Sequence, residues 1–184
     1  MTSPNSQQSR TVRVRIAAQE DAGRITTVIN SAFRPAEAFF VEGDRVDSKD
    51  VLNFLSSGKF LLAESEDTVL GCVYVETGPI DSDHALNCRP DIAQAHSQDR
   101  AYLGLLAVDP AQQQGGVGSM LMDAAEDYCR GLGLRFMDIK VVNLREGLSG
   151  FYRRRGYVET GTSDFPAEVK TRLPCHFIEM SKPL

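Results

Sequence analysis

The sequence predicts an α/β (α+β) domain in which strands and helices follow one another around a single core. Three observations support this prediction. The chain has 184 residues, a length typical of one domain with a sizeable core. Apolar residues make up 42% of the chain and charged residues 24%, values typical of a globular protein. Apolar residues also recur with the period of a strand or of a helix along most of the chain, without an internal repeat.

The N-terminal region is predicted to contain a tail, a strand and a helix. Residues 1–9 are polar and predict a disordered tail, so the single domain is expected to span residues 10–184. Alternation of apolar and charged residues over 12–16 predicts a half-buried strand. Apolar residues at the helical period predict a helix over 20–33, which Pro35 is expected to end.

A second helix and a β-hairpin are predicted next. Ser48 is the expected N-cap of this helix, and Gly58 is expected to stop it. Two apolar runs, residues 60–64 and 69–75, predict strands because both have the length of a buried strand. The short polar segment between them predicts a tight turn, so the two strands are expected to pair as a hairpin.

A long loop is predicted to separate this hairpin from the next strand. Residues 76–100 are polar and contain two prolines, which predicts an exposed loop with a short helix near 92–96. The most apolar run, residues 101–108, predicts a buried strand. A single apolar stripe beginning at Val117 predicts an amphipathic helix that Gly131 ends.

The remaining elements are shorter. Residues 136–142 predict a strand, and residues 146–155 predict a short helix stopped by Gly156. Residues 157–159 and 176–180 predict the last two strands. The order is therefore strand, two helices, three strands, helix, strand, helix and two strands.

Charge and cysteine content disfavour several classes of function. The 20 Lys and Arg against 25 Asp and Glu give a net charge of −5, which disfavours nucleic-acid binding and is compatible with a cationic substrate. The four cysteines form no C-x-x-C pair and the three histidines lie far apart, so no metal site is predicted. The start lacks the apolar run of a signal peptide and no run has the length of a membrane span, so we expect a cytoplasmic or nuclear protein without membrane contact.

A glycine-rich turn at residues 109–119 is the most informative segment. Glycines there let the backbone approach a ligand, and the first turn of the helix beginning at Val117 presents unpaired amides, a combination that suits a pyrophosphate. The P-loop pattern is excluded because no lysine precedes Ser119. The dinucleotide fingerprint is excluded because Leu121 stands where its third glycine is required. A structural turn without a ligand stays open as the alternative.

Two motifs carry a resemblance to a known family. Residues 113–118 have the pattern Gln-x-x-Gly-x-Gly and directly follow the strand and turn at 106–110. Residues 151–157, FYRRRGY, have the pattern aromatic-Tyr-x-x-x-Gly-aromatic. In these motifs and in the element order over 10–184, the chain resembles the GNAT superfamily of acyl-CoA-dependent N-acyltransferases. The resemblance implies a mixed, mostly antiparallel sheet of about six to seven strands flanked by about four helices, with the cofactor wedged where two central strands splay.

The resemblance also implies acetyl-CoA as co-substrate, no metal, and a set of site residues. The backbone amides expected to bind the pyrophosphate are those of Gln113, Gln114, Gly115, Gly116, Val117, Gly118 and Ser119. The pantetheine arm is expected to pair with the strand at Leu106, Ala107 and Val108, with the Val108 amide stabilising the oxyanion. Tyr152 is the expected general acid for the leaving sulfur, and a core tyrosine is the alternative. Asn143 is expected to hydrogen-bond the cofactor, and a turn residue is the alternative.

The general base is not identified by the sequence. Many relatives carry a glutamate on the strand that corresponds to residues 101–108, and this strand contains no acidic residue. The candidate side chains are Glu37, Glu76, Asp81, Asp83, His176 and Glu179. A chain of water molecules is an equal alternative. His176 suits the task because the ordinary pKa of histidine is about 6.5, although a structural histidine is the alternative.

The function implied by the resemblance is N-acetylation of a small-molecule amine. A protein N-terminal or lysine acetyltransferase is one alternative, and its peptide groove would involve residues 34–46 and 165–174. A non-catalytic acyl-CoA sensor is another alternative. Phe39, Phe40 and the loop 78–98 are expected to shape the acceptor pocket. The sequence specifies neither the amine nor the oligomeric state, which is expected to be monomer or homodimer.

Overall fold

The computed structural model describes residues 11–77, 99–167 and 169–184. The predicted tail at 1–9 and the predicted short helix near 92–96 lie outside the described residues. The strands are β1 (Arg13–Ile16), β2 (Lys59–Ser65), β3 (Thr68–Thr77), β4 (Arg100–Val108), β5 (Phe136–Val142), β6 (Val158–Asp164) and β7 (His176–Pro183). The helices are α1 (Ala22–Glu37), α2 (Ser48–Ser57), α3 (Val117–Gly131) and α4 (Glu146–Arg154). In this part of the chain, no helix is long and apolar enough to cross a membrane.

The described strands form one mixed sheet with the order β1-β2-β3-β4-β5-β7-β6. Neighbouring strands are antiparallel except β4 and β5, which run parallel. The predicted mixed, mostly antiparallel sheet with flanking helices is therefore confirmed. β2 and β3 form the predicted hairpin, in which Glu66 and Asp67 take φ values of 48° and 64°. Positive φ at both central residues is typical of a tight hairpin turn.

Helices cover both faces of the sheet. α1 and α2 pack on the face that carries Phe60 and Leu62 of β2, and α3 and α4 pack on the face that carries Leu61 and Ala63. Successive side chains of a strand point to opposite faces, so β2 is buried along nearly its whole length. Because its two faces pack against different helices, β2 contributes to two hydrophobic cores. Each large apolar side chain that is fully buried there stabilises the fold by about 1.5–3 kcal/mol.

α1 is longer than predicted, because Pro35 does not end it. The helix continues to Glu37, with Pro35 inside its last turn. The Ala38 N–H still donates to the Arg34 carbonyl at 3.0 Å. A proline so close to the end of a helix removes one hydrogen bond and leaves the following ones in place. The continuation carries the Glu37 side chain into a buried position.

The N-cap of α2 also differs from the prediction. Asp47 is the N-cap, and Ser48 is the first helical residue. The Asp47 side chain accepts the Asp50 N–H at 2.8 Å, and the Asp50 side chain accepts the Asp47 N–H at 2.9 Å. This reciprocal pair satisfies two backbone amides, which favours Asp47 over Ser48 as the cap. Gly58 ends α2, as predicted.

The last two strands are longer than predicted. β6 covers 158–164 in place of 157–159, and β7 covers 176–183 in place of 176–180. β6 is almost entirely exposed and polar, so it lacks the apolar alternation that marks a strand in a sequence. Its extended conformation comes from pairing with β7, a long-range interaction.

β4 and β5 separate along their length. They pair only between Arg100–Leu103 and Phe136–Ile139. β4 then has a bulge opposite β3, where Leu105 takes a φ of 48°. A bulge bends the strand and increases its twist, and beyond it the β4 edge has no β5 partner. The resulting V-shaped opening positions the candidate site.

Candidate active site

A cleft with a volume of about 100 Å³ lies where β4 and β5 separate. It is lined by both strands, by α4, by the end of α1 and by residues that follow α1 and begin β7. Its ionisable side chains among the described residues are Glu37, Arg45, Tyr102, Lys140, Arg145 and Tyr152. Of the residues expected to contact the cofactor, Leu106 and Tyr152 line the cleft, whereas Ala107 is buried in the sheet opposite Cys72.

The unpaired edge of β4 presents backbone groups to this opening. The Asp109 N–H donates to the Leu70 carbonyl of β3 at 2.8 Å. Successive N–H groups of a strand point to opposite edges, so the Val108 N–H points away from β3. The Gln113 side chain donates to the Val108 carbonyl at 3.3 Å and so links this end of β4 to the glycine turn. The Val108 amide is therefore available to an extended ligand.

The glycine turn lies between β4 and α3. The Asp109 carboxylate accepts the Ala111 N–H at 2.8 Å and begins the turn. Gln114 and Gly116 have φ values of 68° and 80°, in the left-handed region that favours glycine. The first amides of α3, beginning at Val117, have no acceptor within the helix. The exposed or half-exposed residues of the turn are Gln113, Gln114, Gly115, Gly116, Gly118 and Ser119, and Val117 is buried. Unpaired amides at the positive end of a helix are suited to binding an anion.

Tyr152 lies on α4 with its ring packed edge-on against Phe151 and Tyr157. Burial raises the pKa of Tyr152 to about 12, although Arg145 and Arg155 act in the opposite direction. Its hydroxyl makes no hydrogen bond with any other described residue. A neutral hydroxyl in a cleft is able to donate a proton to a ligand.

Asn143 follows β5 and connects it to the start of β7. Its side-chain oxygen accepts the His176 N–H at 2.9 Å, and its own N–H donates to the His176 carbonyl at 3.0 Å. Neither bond uses the Asn143 side-chain NH2 group, which is therefore available to a cofactor. His176 itself is exposed and does not line the cleft.

Glu37 is the candidate base that lies in the cleft. The residue is 4% exposed. One carboxylate oxygen lies 3.5 Å from Nη1 of Arg45 and the other 3.8 Å from Nη1 of Arg145, which is too long for hydrogen bonds. Burial raises the pKa of Glu37, and the two arginines offset only part of this effect. A carboxylate with a raised pKa is a stronger base than an exposed one.

The other candidate bases have different surroundings. Glu76 is buried at the end of β3 and accepts the Tyr74 hydroxyl at 3.0 Å. Glu179 lies 2.7 Å from the Lys140 ammonium. Burial acts to raise the pKa of Glu179, but the hydrogen bonds from Lys140 and Ser163 outweigh it, and the pKa is lowered. Asp81 and Asp83 lie outside the described residues. Among those that are described, no three His, Cys, Asp or Glu side chains form a metal-binding group.

Two arginines of the cleft were not predicted from the sequence. Arg45 lies in the polar stretch between α1 and α2, where no periodicity marks a functional residue. Arg145 directly precedes α4, seven residues before Tyr152. Residues seven apart share one face of a helix, so this spacing could have identified Arg145 beside Tyr152.

Phe39 and Phe40, which are expected to shape the acceptor pocket, do not line the cleft. Phe39 is exposed and Phe40 is buried. The loop 78–98 lies outside the described residues. The two stretches named for a peptide groove contact each other directly, through a bridge between Val41 and Thr171.

Comparison with protein families and solved structures gives a consistent result. Residues 24–157 match the acetyltransferase (GNAT) family. No curated protein matches the sequence. A GNAT-family protein from Desulfovibrio desulfuricans has a TM-score of 0.69 at 19% identity, covering 94% of this chain and 99% of that one.

Two further structures have the same fold. The ribosomal-protein-alanine N-acetyltransferase from Brucella melitensis has a TM-score of 0.69 at 20% identity, covering 94% of this chain and 99% of that one. A Salmonella typhimurium protein described as an acetyltransferase, solved with acetyl-CoA, has a TM-score of 0.67 at 17% identity and 94% coverage of each chain. At these identities the likeness establishes the fold.

Proposed function

Because this chain belongs to the GNAT acetyltransferase family, we propose that it transfers the acetyl group of acetyl-CoA to a primary amine by direct attack in a ternary complex. The acceptor is a small-molecule amine. One observation carries the proposal: the unpaired edge of β4 leads from the glycine turn, with its unpaired helix amides, into the cleft that Tyr152 lines. A long thioester with a pyrophosphate at one end fits such an arrangement.

The cofactor is held by backbone groups. The pyrophosphate binds the amides of the glycine turn and the first turn of α3, where both hydrogen bonds and the helix dipole favour an anion. The pantetheine arm lies along Leu106 to Val108 and replaces the β5 pairing that β4 lacks there. Asn143 contributes its side-chain NH2 group.

Acetyl transfer breaks one bond and forms another. The neutral amine nitrogen attacks the thioester carbonyl carbon, a C–N bond forms, and the C–S bond breaks. The Val108 N–H donates to the developing oxyanion, an interaction that contributes about 2.7–4 kcal/mol in acyl transfer. The Tyr152 hydroxyl donates its proton to the departing thiolate, so that CoA leaves as a thiol. The attacking nitrogen loses its second proton to water as the C–S bond breaks, and the Tyr152 oxygen regains a proton from water, so that the products are a neutral amide and CoA.

Glu37 supplies the base. An alkyl ammonium group has a pKa of about 10, so its proton must be removed before the nitrogen attacks. Of the candidate bases in the described residues, Glu37 alone lines the cleft. Its raised pKa makes its carboxylate a stronger proton acceptor, either directly or through one water molecule.

Isothermal titration with acetyl-CoA, with NADH and ATP as controls, is the primary test. We expect saturable binding of acetyl-CoA alone and CoA release on addition of an amine. Absence of acetyl-CoA binding would contradict the proposal. Binding without CoA release for any amine or peptide would instead identify a sensor, and release with N-terminal peptides alone would identify a protein acetyltransferase.

The phosphate-binding turn is tested best at Ser119. Gly116 is unsuitable, since at its φ of 80° any side chain strains the backbone. The substitution Ser119→Glu adds an acid to the first turn of α3, which is favourable for the helix but repels a pyrophosphate. We expect acetyl-CoA affinity to fall about tenfold, equivalent to 1.4 kcal/mol, without loss of thermal stability. Ser48→Glu, at the first residue of α2, is the matched control. Equal acetyl-CoA affinity in Ser119→Glu and Ser48→Glu would show that the turn does not bind the cofactor.

A further inference from the structure

The three arginines of the FYRRRGY motif have different surroundings. Arg153 and Arg154 are exposed, and Arg153 forms an ion pair with Glu159 of β6. Arg155 is the C-cap residue of α4, and its side chain is 17% exposed. Arg155 does not line the cleft. The least exposed arginine of the motif therefore lies outside the cleft, at the end of the helix that carries Tyr152.

Arg155 connects the end of α4 to α3. Its Nη2 atom donates a hydrogen bond to the Asp123 carboxylate and lies 3.8 Å from Oε1 of Glu126. Glu126 is 3% exposed and also accepts a hydrogen bond from the Lys182 ammonium of β7 at 2.6 Å. Because Glu126 is buried, its attraction for these cations is screened less by salt than that of an exposed pair. The two carboxylates of α3 therefore bind side chains of both α4 and β7.

α3 and α4 carry different parts of the proposed cofactor site. The first turn of α3 presents the amides proposed to bind the pyrophosphate, and Tyr152 of α4 is the proposed acid for the sulfur. Arg155 follows Tyr152 by about one helical turn, and its N–H donates to the Tyr152 carbonyl at 3.0 Å. A shift of α4 against α3 would therefore change the distance between the phosphate site and the acid. Group transfer is sensitive to this distance, since a displacement of about 1 Å is enough to lower a rate on the order of 100-fold.

The position of the Tyr152 hydroxyl depends on the placement of α4. The hydroxyl makes no hydrogen bond with any other described residue that would fix it directly. α4 has nine residues, of which Ser149 and Tyr152 are buried, so the helix has a small buried face. The charge of Arg155 also acts on the hydroxyl. Burial raises the pKa of Tyr152 to about 12, and Arg145 and Arg155 act in the opposite direction, which makes the hydroxyl a stronger acid.

We propose that Arg155 is a positioning residue for acetyl transfer, which holds α4 against Asp123 and Glu126 of α3 so that the Tyr152 hydroxyl reaches the sulfur of a cofactor whose pyrophosphate is bound at α3. Arg155 acts through Tyr152 and does not touch the reacting atoms. This inference rests on the proposed function, because it requires Tyr152 to be the acid. An ion pair with a purely structural role would affect stability, and its loss would lower the rate equally with and without the Tyr152 hydroxyl.

A double-mutant cycle between Arg155→Gln and Tyr152→Phe is the test. The kcat value is measured from CoA release, with spermidine, L-methionine and an N-terminal tetrapeptide as amine probes, and the fastest probe is used for every variant. We expect Arg155→Gln alone to lower kcat about tenfold, with little change in acetyl-CoA affinity measured by titration. In the Tyr152→Phe background, the same substitution should have little further effect on kcat, because the hydroxyl that Arg155 positions is absent.

Amide hydrogen exchange of the free protein gives a measurement that does not depend on turnover. In Arg155→Gln we expect exchange in α4 to become about tenfold faster, because the helix loses its connection to α3, while exchange in α1 stays unchanged. Arg153→Gln is the matched control, since Arg153 lies on the same helix and forms an exposed ion pair. This control should change neither exchange in α4 nor kcat.

Two further variants keep the test decisive if Arg155→Gln is unstable. Arg155→Lys should retain most of the kcat of the parent, because a single nitrogen of Arg155 makes both contacts with α3 and an ammonium group is able to replace it. Asp123→Asn removes the exposed partner, whose side chain is 65% exposed, and leaves the buried Glu126 in place. We expect it to lower kcat in the same direction as Arg155→Gln, by a smaller factor. Melting temperatures show whether each variant is folded.

Three results would overturn the inference. The first is an equal fall in kcat on Arg155→Gln with and without the Tyr152 hydroxyl. The second is a kcat and an exchange rate in α4 that Arg155→Gln and Asp123→Asn leave unchanged. The third is a loss of acetyl-CoA affinity in Arg155→Gln as large as the loss of kcat, which would place Arg155 on the cofactor. Failure of the proposed function is different, since the parent protein itself would then bind no acetyl-CoA or release no CoA.

Discussion

Glu37 and Glu64 are both buried glutamates, but their surroundings act on them in opposite directions. Glu64 in β2 is 2% exposed, and its oxygens lie 2.6 Å from Arg13 and 3.0 Å from Arg15. The Arg15 guanidinium lowers the pKa of Glu64, despite burial. Glu37 is 4% exposed, its arginines are more distant, and burial raises its pKa.

In this comparison, hydrogen bonds from arginine favour the charged form of Glu64, whereas burial with more distant arginines disfavours the charged form of Glu37. A carboxylate held at hydrogen-bond distance is stabilised as an ion and contributes to the fold. A buried carboxylate whose cations lie further away is poised to accept a proton. Glu64 lies in the sheet and Glu37 in the cleft, in agreement with these two tasks.

The largest effect is expected from Glu37→Gln, which removes the proposed base. We expect kcat/KM to fall about 1,000-fold, within the range of general-base catalysis. In the parent protein the rate should rise with pH through the raised pKa of Glu37, because only the ionised form accepts a proton, and this rise should be absent in the variant. Glu42→Gln, at an exposed ion pair with Arg172, is the control. Near-normal activity in Glu37→Gln would favour a water chain as the base.

Glu64→Gln should affect stability instead of activity. Breaking its ion pairs with Arg13 and Arg15, whose side chains are partly exposed, should lower the free energy of unfolding at pH 7 by about 2 kcal/mol, measured by urea denaturation. Glu37→Gln should cost less, since burial disfavours the charge that it removes. Glu159→Gln, at an exposed pair with Arg153, should change stability by less than about 0.5 kcal/mol. Equal losses of unfolding free energy in Glu64→Gln and Glu37→Gln would contradict the different roles assigned to the two glutamates.

Tyr152→Phe extends the comparison to the proposed acid, which lines the same cleft as Glu37. We expect kcat to fall about 100-fold with little change in acetyl-CoA affinity, because the hydroxyl acts when the thiolate leaves. Tyr157→Phe is the matched control: its ring lies 5.6 Å from that of Tyr152, and its buried hydroxyl has no partner among the described residues. Rates from CoA release and affinities from titration separate the two effects. A similar rate in both variants would exclude Tyr152 as the acid.

The smallest effect is expected in the pH dependence of stability. Hydrogen bonds from Arg15 lower the pKa of Asp21 to about 2. A carboxyl whose pKa is lowered by folding stabilises the native state above its unfolded pKa, so about 2 kcal/mol should be lost as the pH falls from about 4 to about 2. Asp21→Asn should flatten this part of the stability curve, whereas Asp44→Asn, at an exposed pair with Arg34, should not.

The contribution of Glu37 to stability should change with pH in the opposite direction to that of Asp21. Its pKa is raised by folding, so its contribution is present below the unfolded pKa and is lost as the pH rises through the folded pKa. The stability of Glu37→Gln relative to that of the parent should therefore increase as the pH rises through this window. The free energy of unfolding of the parent and of Glu37→Gln is measured across the pH range. Two parallel curves would contradict this prediction.

Local patterns in the sequence determined the elements and the cofactor motifs. β5 lies at the predicted residues 136–142, since its apolar run has the length of a strand. The glycine turn was visible because glycines and the unpaired amides of a helix start depend on neighbouring residues, and Gly116 takes a φ of 80°. Tyr152 was found through its spacing from Gly156 within one helix end. In each case the interacting residues are close in sequence.

The cluster at the acceptor end of the cleft was decided by the tertiary structure. Glu37, Arg45 and Arg145 come from three segments, and only the packing of α1 and α4 around the separated strands brings their charges together. The sequence offered six candidate bases and drew attention to His176 through the ordinary pKa of histidine, because burial and distance to arginine have no local signal. The length of α1 beyond Pro35 and the extent of β6 depend on long-range contacts for the same reason. The motifs that mark the family are therefore encoded locally, whereas the cluster of charged side chains in the cleft arises from contacts between residues distant in sequence.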